Sequence, residues 1–167
     1  AHRVLKRYRA GLVAMLAGVL LGACGQGQSA AKEPARLPPS GQPLDSIVLG
    51  MGCFWGAEKR MSELPGVVDV ESGYANGEVD GTYKAVLAQE DMRRAGRSNK
   101  RNHAEVVKVT YDPGRVSLEA VLARFWESHD PTQGDRQGND VGSNYRSAIY
   151  THGDAQMAAA LRTRAVY

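Results

Sequence analysis

Cysteine is scarce in this chain of 167 residues: there are two, Cys24 and Cys53. A framework of several disulfides and a multi-cysteine metal site are thereby excluded. Phenylalanine and tryptophan are as rare, two of each, and they fall in two adjacent pairs, Phe54-Trp55 and Phe125-Trp126. No apolar run reaches the ~20 residues that an ordinary membrane-spanning helix needs. The longest, Gly11 to Ala23, is shorter, and there is no internal repeat. Charge of one sign is also missing once the first residues are set aside. The formal net charge is +3, from 21 basic and 18 acidic residues, but Arg3, Lys6, Arg7 and Arg9 stand in residues 1–23 without an acid. The remainder holds 17 basic and 18 acidic groups, a net of −1. That balance offers no general basic surface, so a nucleic-acid partner is not expected. What remains, 43% hydrophobic and 23% charged residues, suits one globular domain rather than two.

The N-terminus reads as an address. A basic segment is followed by the uncharged Gly11–Ala23, the order of n-region and h-region in a secretory signal. Leu21-Gly22-Ala23-Cys24 then resembles a bacterial lipobox, with small residues before a cysteine that receives lipid. The expectation is a signal peptide over 1–23 and a lipidated Cys24. Acyl chains would hold the protein at the extracytoplasmic face of the cell envelope, in the periplasm or outside it. Residues 24–45 carry Pro34, Pro38, Pro39 and Pro43 among small polar residues, and read as a flexible linker.

From Ser46 the pattern changes to that of a folded domain, 46–167. Ile47–Met51 is a short apolar run expected as a buried strand. Phe54, Ala57, Glu58, Met61 and Leu64 recur at helical spacing until Pro65-Gly66. Val67–Ser72 and His103–Tyr111 read as further strands. Ser117 is placed to cap a helix whose apolar positions are Leu118, Val121, Leu122, Phe125 and Trp126. Ser147–Thr151 reads as a fourth strand, and Asp154 opens a last helix. The order β-α-β-β-α-β followed by a helix predicts an α+β fold, a ferredoxin-like two-layer sandwich. Its mostly antiparallel sheet would carry the helices on one face. Such a fold decides nothing about chemistry.

Cys53 carries the chemistry. Taken alone, a single cysteine is more commonly an inert apolar filler. This one falls between a strand end and a helix start, where unpaired backbone N–H groups and the helix dipole favour a thiolate nucleophile. Phe54 and Trp55 stand beside it. On the strand from His103, alternation puts Glu105 on the side of Val107, Val109 and Tyr111. Desolvation there would favour the protonated acid, although a glutamate at a strand end can equally reach water. A thiolate, a neutral carboxylic acid and aromatic walls make a site that attacks a polarised centre while protonating an oxygen.

Gly52-Cys53-Phe54-Trp55-Gly56-Ala57-Glu58 resembles the GCFWGxE signature of the methionine sulfoxide reductase A family. Further blocks follow in the family's order: Gly73–Gly77 with Thr82-Tyr83, His103-Ala104-Glu105, Tyr111-Asp112-Pro113, and His129–Gln133 through Arg136–Gly142 to Tyr145–Tyr150. The resemblance runs from Ile47 to the chain end with one interruption. It implies reduction of methionine S-sulfoxide, free or in proteins, one epimer of an oxidation that such enzymes reverse. Cys53 would attack sulfur and Glu105 would protonate the oxygen, which Tyr83 and Tyr145 would orient. Phe54 and Trp55 would enclose the S-methyl group, and Asp140 would hold substrate or shape the pocket. The resemblance implies no metal and no cofactor beyond a thiol reductant such as thioredoxin or dithiothreitol, which removes the sulfenic acid left on Cys53. A monomer is expected.

Departures from the family pattern cluster in one place. Leu87 stands where the family commonly has a cysteine, Asn102 replaces the glycine before His103, and Ser143-Asn144 replaces the commoner Thr-Gln. The intervening 92–101 is rich in arginine and lysine without an acid and reads as an exposed basic insertion. The family often keeps resolving cysteines near a C-terminal tail, so a chain stopping in a helix at Tyr167 reads as a fragment. Two other readings stay open: a membrane-anchored scaffold without activity, and a dinucleotide site on the GxGxxxG of Gly50–Gly56.

Overall fold

The computed structural model of the chain describes residues 39–167. The expected signal peptide, the expected lipidation site Cys24 and most of the expected linker lie outside the described residues. The linker's last part is not free: the Ser40 amide and hydroxyl both donate to the Asp112 carboxylate, the amide at 2.7 Å. Ser40, ahead of the expected boundary at Ser46, is thus joined to the turn after the strand that ends at Tyr111.

Four strands, β1 (Asp45–Gly50), β2 (Val67–Ala75), β3 (Ala104–Tyr111) and β6 (Ala148–Tyr150), form one sheet in the order β2-β3-β1-β6. Every neighbouring pair is antiparallel. β1 and β2 therefore run the same way with β3 inserted between them, the split βαβ arrangement expected. The same pairing disposes of the dinucleotide reading. A mononucleotide-binding βαβ unit needs parallel neighbours, and both neighbours of β1 are antiparallel. A two-residue pair, β4 (Arg136–Gln137) and β5 (Asp140–Val141), stands apart from the sheet.

Three helices cover one face. α1 (Phe54–Ser62) supplies Ala57 and Met61, α3 (Leu118–Glu127) supplies Val121, Leu122 and Phe125, and α4 (Gly153–Arg164) supplies Ala159. They bury these against Ile47 and Leu49 of β1 and Val107, Val109 and Tyr111 of β3. Alternation along β3 gives this face every second residue, so Glu105 enters it by register. Ser117 caps α3 as expected, its side chain accepting the Ala120 amide. Phe125 is fully buried, and truncation to alanine would leave a cavity its neighbours only partly fill. Phe125→Ala is expected to lower unfolding free energy by about 3–5 kcal/mol, read from urea denaturation.

A helix unforeseen in the sequence lies between β2 and β3. α2 (Tyr83–Arg94) takes in Met92 to Arg94 of the stretch expected to be a loop. Thr82 caps it by accepting the Ala85 amide. Its pattern hid it, since the buried positions are Val86, Gln89 and Glu90, two of them polar. None of them belongs to the main core.

Candidate active site

Cys53 is the N-cap of α1 and is half-buried. The backbone reaches it through Gly52, whose φ of +89° lies in the left-handed region open to glycine. A Cβ at Gly52 would also sit 2.7 Å from Cγ of Gln137. Gln137 is fixed in turn: its side chain exchanges two hydrogen bonds with the Asp130 backbone, accepting at 3.0 Å and donating at 2.7 Å. The long sequence block after His129 thus packs directly against the turn that carries the thiol. His129 itself bridges the Phe125 carbonyl and the Ser147 hydroxyl, tying the end of α3 to the approach of β6.

Glu105 is 3% exposed, and its carboxylate faces the start of α1. The Phe54 amide donates to Oε2 at 3.2 Å, which places the carboxyl group against the residue following Cys53. Asn144 Nδ2 donates to Oε1 at 3.5 Å. Burial pushes the Glu105 pKa up from the ordinary glutamate value. The Phe54 and Asn144 hydrogen bonds oppose that shift, and the negative charge of Asp140 adds to it. Desolvation outweighs the hydrogen bonds, the balance a neutral proton donor requires.

Tyr145 closes the 3-10 turn Ser143–Tyr145. Its phenol is also held above the ordinary tyrosine range, first by burial and then by the charges of Glu105, Asp140 and Cys53. These four groups therefore share one electrostatic neighbourhood, although they come from the N-cap of α1, from β3, from β5 and from the turn. Phe54 joins them as a wall: its ring centroid is 5.4 Å from that of Tyr74, the residue opposite Glu105 on β2.

The remaining two expected residues are less enclosed. Trp55 is 78% exposed, and Tyr83, which opens α2, is 63% exposed. The hydrogen bonds to Glu105 come from Phe54 and Asn144, and the Tyr83 hydroxyl is not among them. Glu58 of the heptapeptide has a local task, accepting the Ser72 hydroxyl at 2.5 Å and so joining α1 to β2. His103 does the same for the loop before α2, accepting the Gly77 amide at 3.0 Å and contacting the Val79 carbonyl at 2.7 Å. Among the described residues, no group of three or more His, Cys, Asp or Glu is arranged to hold a metal ion.

Sequence reading missed Asn144. An amide side chain directly before Tyr145 was the available signal, but only the fold reveals that Glu105 is its partner.

A family model described as peptide methionine sulfoxide reductase matches residues 45–166. The chain belongs to the peptide methionine sulfoxide reductase family. Over 130 residues it is 50% identical to the mitochondrial peptide methionine sulfoxide reductase of Mus musculus, covering 77% of this chain and 52% of that protein. The solved methionine sulfoxide reductase A of Corynebacterium diphtheriae superimposes with a TM-score of 0.60 at 42% identity, over 80% of this chain and 62% of the other. Mxr1 from Saccharomyces cerevisiae, solved in complex with Trx2, matches at 25% identity with a TM-score of 0.50, over 78% and 70% of the two chains. The chain spans about half the length of the curated relatives it matches.

Proposed function

We propose that this chain reduces methionine S-sulfoxide to methionine with Cys53 as nucleophile and Glu105 as acid. The observation that carries the reading is the Glu105 carboxyl group, buried, biased toward its neutral form and bonded to the residue next to Cys53. The Cys53 thiolate gives an electron pair to the sulfoxide sulfur while Glu105 transfers its proton to the oxygen. The S–O bond breaks as that hydroxyl passes to the Cys53 sulfur, and the new sulfur–sulfur bond breaks with its electron pair returning to the methionine sulfur. Methionine leaves, reduced by two electrons, and Cys53 holds the oxidation as a sulfenic acid. One thiol displaces water to form a mixed disulfide, and a second thiol releases Cys53. Glu105 is reprotonated from solvent. Tyr145 would steady the oxygen by its hydroxyl, with Tyr83 as a second donor once substrate covers it. Phe54 and Trp55 would flank the S-methyl group, and Asp140 would border the same space.

Thioredoxin-type proteins are the proposed physiological reductant, a reading supported by the yeast relative's complex with Trx2. Lipid attachment at Cys24 would place the domain at the extracytoplasmic face of the envelope, acting there as a monomer. The basic segment, apolar run and lipobox support this, and intact mass of the protein from its source cells tests it. The activity itself is tested with a methionine sulfoxide peptide and dithiothreitol. Stoichiometric methionine with the R-sulfoxide left over is the expected result. No methionine from a folded protein would sink the reading.

A further inference from the structure

Among the described residues, two buried carboxylates besides Glu105 take no part in the scheme above. Asp112 holds Ser40 and Gly114 around the turn after β3, far in sequence from the site. Glu90, on α2, leads back to the site through its partners. Its Oε2 accepts the Ser143 hydroxyl at 2.5 Å and Asn102 Nδ2 at 3.2 Å, and the Ser143 amide also donates to the carboxylate. Arg94, one turn further along α2, sets Nε 3.5 Å from Oε1 and also donates to the Val141 carbonyl. Burial pushes the Glu90 pKa up, but the hydrogen bonds from Ser143 and Asn102 and the Arg94 charge bring it below the ordinary value. Glu90 is thus held as a carboxylate.

Ser143 is the first residue of the turn that carries Asn144 and Tyr145. Packing there leaves no slack. A Cβ at Gly142 would lie 2.5 Å from Asn144 Oδ1 and 3.4 Å from both the Glu90 carboxyl carbon and an Arg94 nitrogen. Asn102, the other residue on Glu90, also bonds the Val86 carbonyl at 3.0 Å and accepts the His103 amide at 2.9 Å, two residues before Glu105. One anion therefore clamps both segments that define the surroundings of Glu105.

We propose that Glu90 is a positioning residue for the reduction: by holding Ser143 it sets the Asn144 amide on Glu105 and the Tyr145 phenol near Cys53. This rests on the reductase reading above. The departures Asn102 and Ser143 and the helix between β2 and β3 then form one device, in which α2 supplies the anion that both side chains bind. The groups facing Glu105 are Asp140 from β5, Tyr145 from the turn, Tyr74 from β2 and Cys53 from α1; Arg94 is the cation facing Glu90. Loss of the Asn144 donor removes a bond that favours ionised Glu105, so Glu105 would keep its proton to higher pH.

The test compares wild type with Glu90→Gln, Ser143→Ala, Ser143→Thr, Asn144→Ala and the Glu90→Gln/Asn144→Ala pair. Steady-state kinetics use a methionine sulfoxide peptide and dithiothreitol across a pH series. Glu90→Gln is expected to lower kcat about tenfold with KM nearly unchanged, and to move the limb on which Glu105 ionises upward by about half a pH unit. Ser143→Thr, which keeps the hydroxyl, is expected to leave the limb on which Glu105 ionises where wild type has it, whereas Ser143→Ala moves it upward. The double variant is expected to be no slower than Asn144→Ala alone, the signature of two residues acting through one contact. Additive losses overturn the proposal. So does a Glu90→Gln protein that loses only thermal stability while kcat and pH profile stay as in wild type. Should Glu90→Gln fail to fold, Ser143→Ala carries the same comparison. If folded wild type does not turn over, the reductase reading fails, while NMR titration of the Glu105 carboxyl still decides the linkage. An unmoved midpoint in Glu90→Gln would then overturn it.

Discussion

Cys53→Ser protein is expected to fold as well as wild type and to lose sulfoxide reduction by about ten-thousand-fold or more. The two halves of that expectation have separate causes. Serine lacks a readily formed anion and a polarisable sulfur, so the attacking electron pair is gone. Stability should hold or rise slightly, because Cys53 occupies the N-cap of α1 without making a side-chain cap bond. Serine at that position can accept an amide of the first helical turn, a contact typically worth about 1 kcal/mol relative to residues that cannot cap. A variant that is inactive yet no less resistant to urea would separate chemistry from packing. Turnover retained by purified Cys53→Ser would end the mechanism, and a large loss of stability would return Cys53 to the role of core filler.

Glu105→Gln is expected to reduce kcat by about a hundredfold to a thousandfold with a smaller change in KM, since a proton donor is replaced by a group that cannot give up a proton. Shape is nearly preserved, and the Gln oxygen can still accept the Phe54 amide. The same substitution carries a stability signature whose sign is fixed by burial. The native Glu105 pKa is raised, so within the window above the ordinary glutamate value the folded state binds more protons than the unfolded one. Unfolding free energy from this group is therefore full below the ordinary value and falls as pH rises through the raised native value. Glu105→Gln removes that fall. Urea midpoints of wild type and variant across a pH series should converge in acid and separate above it, the variant becoming relatively more stable. Parallel curves would mean that Glu105 is not biased toward its neutral form. Glu90 and Asp112 shift the opposite way, but they are common to both proteins and cancel in the comparison.

The sheet was readable because each strand showed either an apolar run or alternation with period two, and Ser117 marked the start of α3. Glu105 could be assigned to the core face for the same reason: Val107, Val109 and Tyr111 share its parity, and all three are buried. α2 escaped because its inward positions are Val86, Gln89 and Glu90. A helix that buries polar side chains has no apolar stripe, and its arginines look like an exposed loop. Asn144 and Glu90 escaped for a related reason. Their roles lie in partners 39 and 53 residues away along the chain, at a separation no local pattern encodes.

Sequence alone singled out Cys53 and Glu105 and put the one at a helix start and the other on a strand, because heptapeptide, alternation and turn residues are all local. Tertiary structure alone decided that Glu105 meets the Phe54 amide and that α2 reaches the turn before Tyr145. It also left Trp55 and Tyr83 facing solvent. Contacts of that kind depend on how the antiparallel sheet brings distant segments to one end of β3, a geometry set by the packing of the whole core.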